Sequence, residues 1–275
     1  MPTTRAGSAT ELARDAAQNN CGMVVVCGGD GTINEVVNGI AGMDAPLAVL
    51  PAGTANILAK ELGIPWDIPA AARLIARGKL ARIGLGLAQW RATETGAPAI
   101  PTQRYFLCVS GAGPDGAIVH GIDIAHKARV GILAYWLEGL RQFFKYNFPL
   151  FAVESAERTL KASLIVVGRT KYYGGPFRIT VGASLFEDQF EVVAYTRRSR
   201  FGVLSCLPAI WLGSLHRVKG IEVWKTTRFT CRPVGGAEIF SQLDGEPASA
   251  LPVEFSIVPD ALTLVLPEGF SPNGT

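Results

Sequence analysis

A glycine-rich string near the N-terminus carries the strongest chemical signal in the chain. Residues 28–35 read Gly-Gly-Asp-Gly-Thr-Ile-Asn-Glu, between an apolar run and a helical pattern. Glycines let the backbone come close to a ligand, and a helix N-terminus offers N–H groups and partial positive charge to phosphate. Asp30 would repel phosphate unless a cation such as Mg²⁺ lay between them. The string therefore predicts a phosphate site that uses a divalent cation, in preference to a tight turn without a ligand.

Two further spacings bear on this site. Thr32 and Glu35 stand three residues apart, which predicts a capping box at the start of the helix. A second loop, Pro-Ala-Gly-Thr-Ala-Asn at residues 51–56, also follows an apolar run and opens a helix. Loops at the carboxyl ends of parallel strands face one crevice, where α/β sheets bind ligands. Thr54 could therefore contact a phosphate or a nucleotide, or it could simply cap the helix.

The first third of the chain alternates strand and helix patterns, which indicates a parallel α/β layer. The predicted strands are residues 23–27 and 47–50, and the predicted helices are residues 9–17, 33–40, 55–62 and 69–78. From about residue 82 onward, short apolar runs separated by turn residues indicate a mostly antiparallel β domain. These runs cover residues 105–110, 160–167, 177–181, 190–195, 221–224, 239–242, 253–257 and 262–266. Residues 93–102 are predicted to be a flexible loop and residues 131–148 a helix.

The composition limits the classes of function. Of the 275 residues 48% are hydrophobic and 18% are charged, and the net charge of +3 is too small to suggest a nucleic-acid binder. Five scattered cysteines without a Cys-x-x-Cys pair argue against a disulfide framework or a zinc site and favour a reducing cytoplasm. The longest strongly apolar piece, residues 201–213, is shorter than the roughly 20 residues needed to span a bilayer. Any membrane contact is therefore expected to be peripheral.

The two loops together resemble the diacylglycerol kinase catalytic domain, a family that includes bacterial lipid kinases, sphingosine kinases and ceramide kinases. The resemblance continues to Asp-Gly-Glu at residues 244–246 and covers nearly the whole chain. It implies an α/β nucleotide-binding domain over residues 1–82, related to the phosphofructokinase and NAD kinase folds, which residues 262–275 would complete. It implies a mainly antiparallel β-sandwich domain for the lipid substrate over residues 83–261. The active site would lie in the cleft between them.

The same resemblance implies roles for individual residues. Glu246 would be the base that takes the proton of the lipid hydroxyl, with Asp244 as its close partner, whereas Asp244 and Gly245 taken alone predict only a hairpin turn. The nucleotide contacts that it implies are Thr3, Gly28, Gly29, Asp30, Gly31, Thr32, Asn34, Glu35 and Thr54.

Three aspartates are implied as metal residues. Asp30 and Asp115 would belong to the metal network of the active site, although a turn is an equal alternative at Asp115. Asp188 matches an aspartate that binds a structural Mg²⁺ in bacterial members, together with backbone groups that correspond to Leu185 and Phe190. The family usually has a glycine after that aspartate, and this chain has Gln189.

The function that the resemblance implies is an ATP- and Mg²⁺-dependent kinase for diacylglycerol, located in the cytoplasm at the inner face of the membrane, with no nucleic-acid partner. The motifs describe the phosphoryl donor side, so a sphingoid base or another lipid alcohol stays open as the acceptor. A catalytically weak lipid- or nucleotide-binding protein is a further alternative, because the family's usual first strand and its Asn-Pro-x-x-Gly loop are not in this sequence. We therefore expect this chain to bind ATP weakly and a longer form to be the active enzyme.

Overall fold

The computed structural model of the chain describes residues 1–90, 103–121, 139–175 and 177–272. The helices are α1 (Ser8–Gln18), α2 (Asp30–Ile40), α3 (Ile57–Glu61), α4 (Ile68–Ala76), α5 (Pro114–Gly121), α6 (Arg200–Leu204) and α7 (Leu207–Trp211), followed by a 3₁₀ turn at Leu215–Arg217. The strands are β1 (Val24–Gly28), β2 (Leu47–Pro51), β3 (Lys79–Trp90), β4 (Gln103–Phe106), β5 (Val109–Ala112), β6 (Phe151–Ser155), β7 (Thr159–Ala162), β8 (Leu164–Gly168), β9 (Tyr172–Tyr173), β10 (Phe177–Arg178), β11 (Phe190–Tyr195), β12 (Ile221–Thr226), β13 (Arg228–Pro233), β14 (Phe240–Leu243), β15 (Glu246–Ala250) and β16 (Val253–Leu266).

Helices cover a parallel pair of strands in the N-terminal part. β1 and β2 run parallel, with Val26 opposite Val49, and α1 packs on α2 above them. The two helices come very close at Gly39, because a Cβ there would lie 2.6 Å from the carbonyl oxygen of Thr10. This α/β layer is the architecture that the alternating pattern predicts.

The C-terminal part is an antiparallel sandwich. One face is the six-stranded sheet β12-β11-β8-β5-β14-β15, and the other is formed by β3, β4, β16, β13, β6 and β7. Four buried phenylalanines fill the space between the sheets. Phe106 stacks on Phe190 at 5.6 Å and Phe229 on Phe255 at 4.9 Å between ring centroids, while the rings of Phe190 and Phe229 meet edge to face.

One strand joins the two parts. The predicted runs 253–257 and 262–266 form the single 14-residue strand β16, with an irregularity between Val258 and Leu262. β16 pairs with β3 along its length, and near its end Leu264 pairs in parallel with Leu47 of β2. The proposed division at residues 82 and 261 falls inside β3 and β16, and it stays a prediction.

The apolar run at residues 160–167 forms two strands, because the chain changes sheets at Ser163. β7 lies in one sheet and β8 in the other. Ser163 is buried, its N–H donates to the carbonyl of Tyr195, and its hydroxyl donates to the carbonyl of Arg197. An apolar run therefore continues through a corner that hydropathy alone does not reveal.

Two predictions fall wholly or partly on residues outside the described ranges. The loop at residues 93–102 lies outside them entirely. Of the predicted helix at 131–148, residues 139–148 are described, and 139–145 are helical. In the described part of the chain no helix has both the length and the apolar character that crossing a bilayer requires.

Candidate active site

The loops after β1 and β2 lie against each other through their glycines. A Cβ built on Gly29 would stand 3.2 Å from the Cα of Gly53, and one on Gly53 would collide with Gly29. A Cβ on Gly28 would likewise come within 2.9 Å of the Cβ of Thr32. None of these three glycines has a left-handed φ. Gly29 and Gly53 are therefore needed where the two loops pack backbone to backbone, and Gly28 is needed where Thr32 packs over it.

Asp30 connects these loops. Its Oδ1 accepts a 2.7 Å hydrogen bond from the N–H of Ile57, the first residue of α3. Asn56, which precedes it at a left-handed φ of 45°, gives α3 no side-chain cap and instead bonds both the N–H and the carbonyl of Gly53. Asp30 thus supplies from α2 the cap that α3 lacks, and Thr54 stands exposed on the same loop without capping the helix.

The predicted capping box of Thr32 and Glu35 is wrong. α2 begins at Asp30 with Gly29 as its N-cap, so Thr32 already lies in the first turn, where it packs over Gly28. The carboxylate of Glu35 accepts hydrogen bonds from the N–H groups of Gly7 at 2.8 Å and Ala9 at 3.1 Å. Glu35 therefore caps α1, not its own helix.

Asp244 is the most fully bonded carboxylate near these loops. Its Oδ1 accepts from the N–H groups of Cys108 and Val109, and its Oδ2 accepts from the N–H of Leu107 and the side-chain amide of Asn34, all at 2.8–2.9 Å. The side chain of Asn34 is buried and also donates to the carbonyl of Tyr105. Asp244 and Asn34 together fix α2 to the start of the sandwich.

The Asp-Gly-Glu sequence forms the hairpin turn between β14 and β15. Asp244 and Gly245 both have left-handed φ values, 49° and 82°, and Leu243 pairs with Glu246 across the turn. The turn prediction is confirmed. A Cβ on Gly31 would lie 2.5 Å from Oε1 of Glu246. The Glu246 carboxylate therefore rests against the first turn of α2, on the helix that begins with Asp30.

A small cavity separates Asp30 from Asp244. Its volume is about 10 Å³, and Cys108 and Ile57 also line it, so it has about the size of one water molecule. Burial raises the pKa of Asp30, and the negative charge of Asp244 raises it further, although the N–H of Ile57 acts in the opposite direction. The folded protein therefore disfavours the ionised form of Asp30.

Asp115 joins this cluster indirectly. It lies in the first turn of α5, where it accepts hydrogen bonds from the Gln242 amide at 2.9 Å and from the Tyr173 hydroxyl. Burial raises the pKa of Asp115, and these two bonds lower it. The Oε1 atom of the same Gln242 side chain accepts a hydrogen bond from the N–H of Gly245. Gln242 thus links Asp115 to the turn that carries Glu246.

The expected structural metal site at Asp188 and Leu185 lies beside the side chain of Arg169. Arg169 is fully buried, and its guanidinium donates to the carbonyls of Leu185 at 2.7 Å, Gly84 at 2.9 Å and Glu187 at 3.0 Å. A Cβ on Gly84 would lie 2.5 Å from Oδ1 of Asp188, so this carboxylate is beside the same carbonyl cluster.

Arg169 already supplies the positive charge that a metal ion would otherwise bring to these oxygens. Burial lowers its pKa to about 10, and the charge of Asp188 opposes that shift, so the guanidinium stays charged near neutral pH. The carbonyl of Leu185, one of the two backbone groups implied for the metal, is a hydrogen-bond acceptor here. The arginine therefore argues against a structural Mg²⁺ at Asp188, and the metal assignment of Asp188, Leu185 and Phe190 stays a prediction.

The predicted site residues thus fall into groups. Asp30, Gly31, Asn34, Asp244 and Glu246 lie together, beside the loop of Gly53 and Thr54. Leu185 and Asp188 lie at the Arg169 cluster, Phe190 is the first residue of β11, and Thr3 is exposed before α1. Within the described ranges no hydrogen bond joins Thr3 or Asp188 to Asp30 or Asp244.

Three residues that matter were missed from the sequence. Gln242 could have been found, because it is a polar residue at the end of the apolar run 239–242, directly before the Asp-Gly-Glu sequence. Arg104, which bonds Oδ1 of Asn34 at 2.8 Å, and Arg169 give no local signal. A charged residue beside an apolar run is normally expected at the surface.

The architecture places the chain in a known class of folds. An α/β layer joined to an antiparallel sandwich also occurs in yeast NADH kinase, whose structure aligns with a TM-score of 0.50 and 12% identity, over 92% of this chain and 63% of that one. A Bacillus anthracis protein crystallised as a proposed diacylglycerol kinase aligns with a TM-score of 0.76 and 22% identity, over 98% of this chain and 84% of that one. These likenesses define the fold.

Sequence relatives define the family. The model described as the diacylglycerol kinase catalytic domain matches residues 1–88, and the model described as the YegS C-terminal NAD kinase beta sandwich-like domain matches residues 109–266. Diacylglycerol kinase of Mycobacterium tuberculosis is 30% identical over 95% of this chain and 82% of its own length. That of Bacillus subtilis is 28% identical over 97% and 84%. The chain belongs to the diacylglycerol kinase family of lipid kinases.

The cap that Asp30 provides can be separated from its charge. Asp30→Asn keeps an oxygen for the N–H of Ile57, whereas Asp30→Ala loses the cap and should cost about 1 kcal/mol. Because the folded state raises the pKa of Asp30, its ionisation lowers stability as pH rises from the ordinary carboxyl pKa through the raised one. Asp30→Asn should therefore match or exceed the wild-type melting temperature at neutral pH, and the difference should shrink in acid. Melts that show Asp30→Asn to be no more stable than Asp30→Ala at neutral pH would contradict this.

The Arg169 cluster predicts a fold that does not need a divalent cation. EDTA or Mg²⁺, without nucleotide, should leave the melting temperature unchanged. Arg169→Met leaves the buried carbonyls of Gly84 and Leu185 without this donor, at about 1–3 kcal/mol each, and also removes the bond to the Glu187 carbonyl, so it should destabilise the chain strongly. The exposed Arg232→Met is the matched control and should change stability by no more than about 0.5 kcal/mol. The prediction would be contradicted if EDTA lowered the melting temperature of the wild type by several degrees but left that of Asp188→Asn unchanged. That result would support a metal site at Asp188.

Proposed function

We propose that this chain is a kinase that transfers the γ-phosphoryl group of ATP to the free hydroxyl of diacylglycerol or a similar lipid alcohol. The proposal rests on family membership and on one observation of geometry, the contact of Glu246 with the first turn of α2. That contact brings a carboxylate from the sandwich to α2, the helix that begins in the glycine-rich loop. A proton acceptor and a phosphate-binding element are the two parts that this reaction needs side by side.

Glu246 is our choice for the base. An alcohol attacks phosphorus effectively only when its proton is accepted as the new bond forms. Asp244 is the poorer candidate, because its two oxygens already accept four hydrogen bonds. In our proposal Asp244 holds the turn, Gln242 and Asp115 support it, and Glu246 takes the proton.

The nucleotide would lie against the loops of Gly29 and Gly53. The first turn of α2 directs N–H groups out of the helix end, which favours phosphate. Thr54 is exposed on the neighbouring loop and is available as a further contact. Asn34 and Glu35 would act indirectly, because their side chains already bond Asp244 and the start of α1.

Asp30 is the residue that would hold Mg²⁺. Its pKa is raised by burial and by Asp244, so a nearby cation would relieve an unfavourable charge. Mg²⁺ that arrives with a nucleotide needs only one or two carboxylates from the protein. When bound, it would neutralise charge on the phosphates.

Label transfer from γ-labelled ATP to a panel of lipids tests the function. Diacylglycerol, a sphingoid base and a monoacylglycerol in detergent micelles should separate the candidate acceptors, and we expect diacylglycerol to be labelled. Labelling of a sphingoid base alone would move the acceptor to the alternative class. Binding of ATP without label transfer to any lipid would contradict the proposal.

The division of labour between the two carboxylates gives a sharper test. Glu246→Gln should lower kcat by about 10²- to 10⁴-fold with little change in the KM for ATP or in the melting temperature. Asp244→Asn turns one acceptor into a donor that faces N–H groups, so its first effect should be a loss of stability of about 1–3 kcal/mol. If Asp244→Asn removes activity at an unchanged melting temperature while Glu246→Gln stays active, the two roles are reversed.

A further inference from the structure

An exposed apolar face lies on two short helices at the outer surface of the sandwich. α6 and α7 present Phe201, Leu207, Trp211 and Leu212, which are 72%, 44%, 72% and 79% exposed. We name these four residues the docking face. Large apolar side chains normally appear singly at protein surfaces, and a group of them marks an interaction site.

The inner sides of α6 and α7 pack against the sandwich. Cys206 is buried and packs with Val193 of β11, and Ile210 and Val223 lie against the same cluster. The hydroxyl of Ser199 caps α6 by accepting from the N–H of Gly202 at 3.1 Å. The exposure of the docking face therefore belongs to ordered helices whose inner sides are packed.

The segment that carries the docking face is basic, although Glu191 of β11 lines the neighbouring pocket with Gly213 and Leu215. Residues 196–220 contain five basic residues and no aspartate or glutamate. The basic residues are Arg197, Arg198, Arg200, Arg217 and Lys219. Aromatic and leucine side chains with a basic surround suit the interface of an anionic lipid bilayer, where apolar groups insert and basic groups meet phosphates.

A second copy of the chain fits this face less well. In a two-fold dimer the same patch would face itself. Five basic residues from each copy would then approach one another without any acid in the segment to compensate. Charge complementarity therefore favours an anionic surface over self-association.

The docking face also has a short physical route to the candidate site. The Trp211 ring meets the ring of Phe177 on β10 edge to face, at 6.0 Å between centroids. Phe177 pairs with Tyr173 on β9, and the Tyr173 hydroxyl donates to Asp115. Asp115 is joined through Gln242 to the turn that carries Glu246. One two-stranded hairpin thus separates the docking face from the carboxylate cluster.

We propose that α6 and α7 dock this protein on an anionic lipid bilayer, with Phe201 and Trp211 inserted and the surrounding basic residues on the lipid phosphates. The proposal rests on the proposed function, because docking here would bring the site to a lipid substrate that resides in the bilayer. It adds the surface and the lipid charge that the activity would use.

Vesicle sedimentation measures the docking directly. Wild-type protein should partition onto phosphatidylcholine vesicles with roughly 30% phosphatidylglycerol, and much less onto phosphatidylcholine alone. Phe201→Ala with Trp211→Ala should lower the partition coefficient about 10-fold or more. Arg198→Ala should lower it about five-fold, with wild-type binding falling as salt rises.

A matched pair of exposed residues elsewhere controls for general hydrophobicity. Trp66→Ala with Leu80→Ala removes side chains that are 51% and 61% exposed in the α/β part, and it should leave vesicle binding unchanged. Equal binding of the docking-face variant and the wild type would overturn the proposal, as would an equal loss in the control. A wild-type dimer that the docking-face variant converts to a monomer would assign this face to self-association instead.

A soluble substrate separates this proposal from the proposed function. The docking-face variant should phosphorylate monomeric dihexanoylglycerol at the wild-type rate and lose activity only on diacylglycerol in anionic vesicles. If the wild type fails on dihexanoylglycerol and on vesicles alike, the proposed function fails, while the partition coefficients still decide the docking. If the variant keeps full activity on vesicles, the docking proposal fails and the function stands.

Discussion

The carboxylate of Asp244 is the interaction on which the candidate site depends. Three consecutive N–H groups, from Leu107 to Val109, and the amide of Asn34 converge on its two oxygens. The donors come from the bend between β4 and β5 and from α2, so one side chain joins the α/β layer to the sandwich. Each buried donor left without it would cost about 1–3 kcal/mol, which outweighs the strain of the left-handed φ at Asp244.

This constraint gives the neighbouring groups their positions. Glu246 starts the strand immediately after the turn, and its carboxylate meets α2 only because Gly31 carries no side chain there. On the other side of α2, Asp30 caps α3 and Gly29 packs on Gly53. Two loops and one hairpin from distant parts of the chain therefore share one frame. A shift of the hairpin would move the carboxylate relative to both loops.

Local patterns in the sequence predict α1 to α4 and strands such as β1, β2, β11 and β12, because burial periodicity and glycine positions are local properties, but they miss α5, α6, α7 and the long strand β3. The capping box does not form because Glu35 binds α1 instead. α1 packs alongside α2, and the first N–H groups of α1, which lack a side-chain cap from their own helix, donate to the Glu35 carboxylate. The spacing of Thr32 and Glu35 does not reveal this neighbour. Arg169 is hidden for a similar reason, since its partners are backbone carbonyls, which any sequence can supply. Contacts made by side chains to distant backbone are the part that spacing does not predict.

The electrostatics of the cluster explain why such a frame is needed. Asp244 is stabilised by neutral N–H dipoles, which fix its place without cancelling its charge, and its charge still raises the pKa of Asp30. A flexible site would relax this repulsion by moving the two carboxylates apart. Here the cap on Ile57 and the four bonds to Asp244 keep them on either side of a cavity of about 10 Å³. Burial and the charge of Asp244 therefore disfavour the ionised form of Asp30, and in our proposal a cation carried by the phosphate ligand would relieve this repulsion.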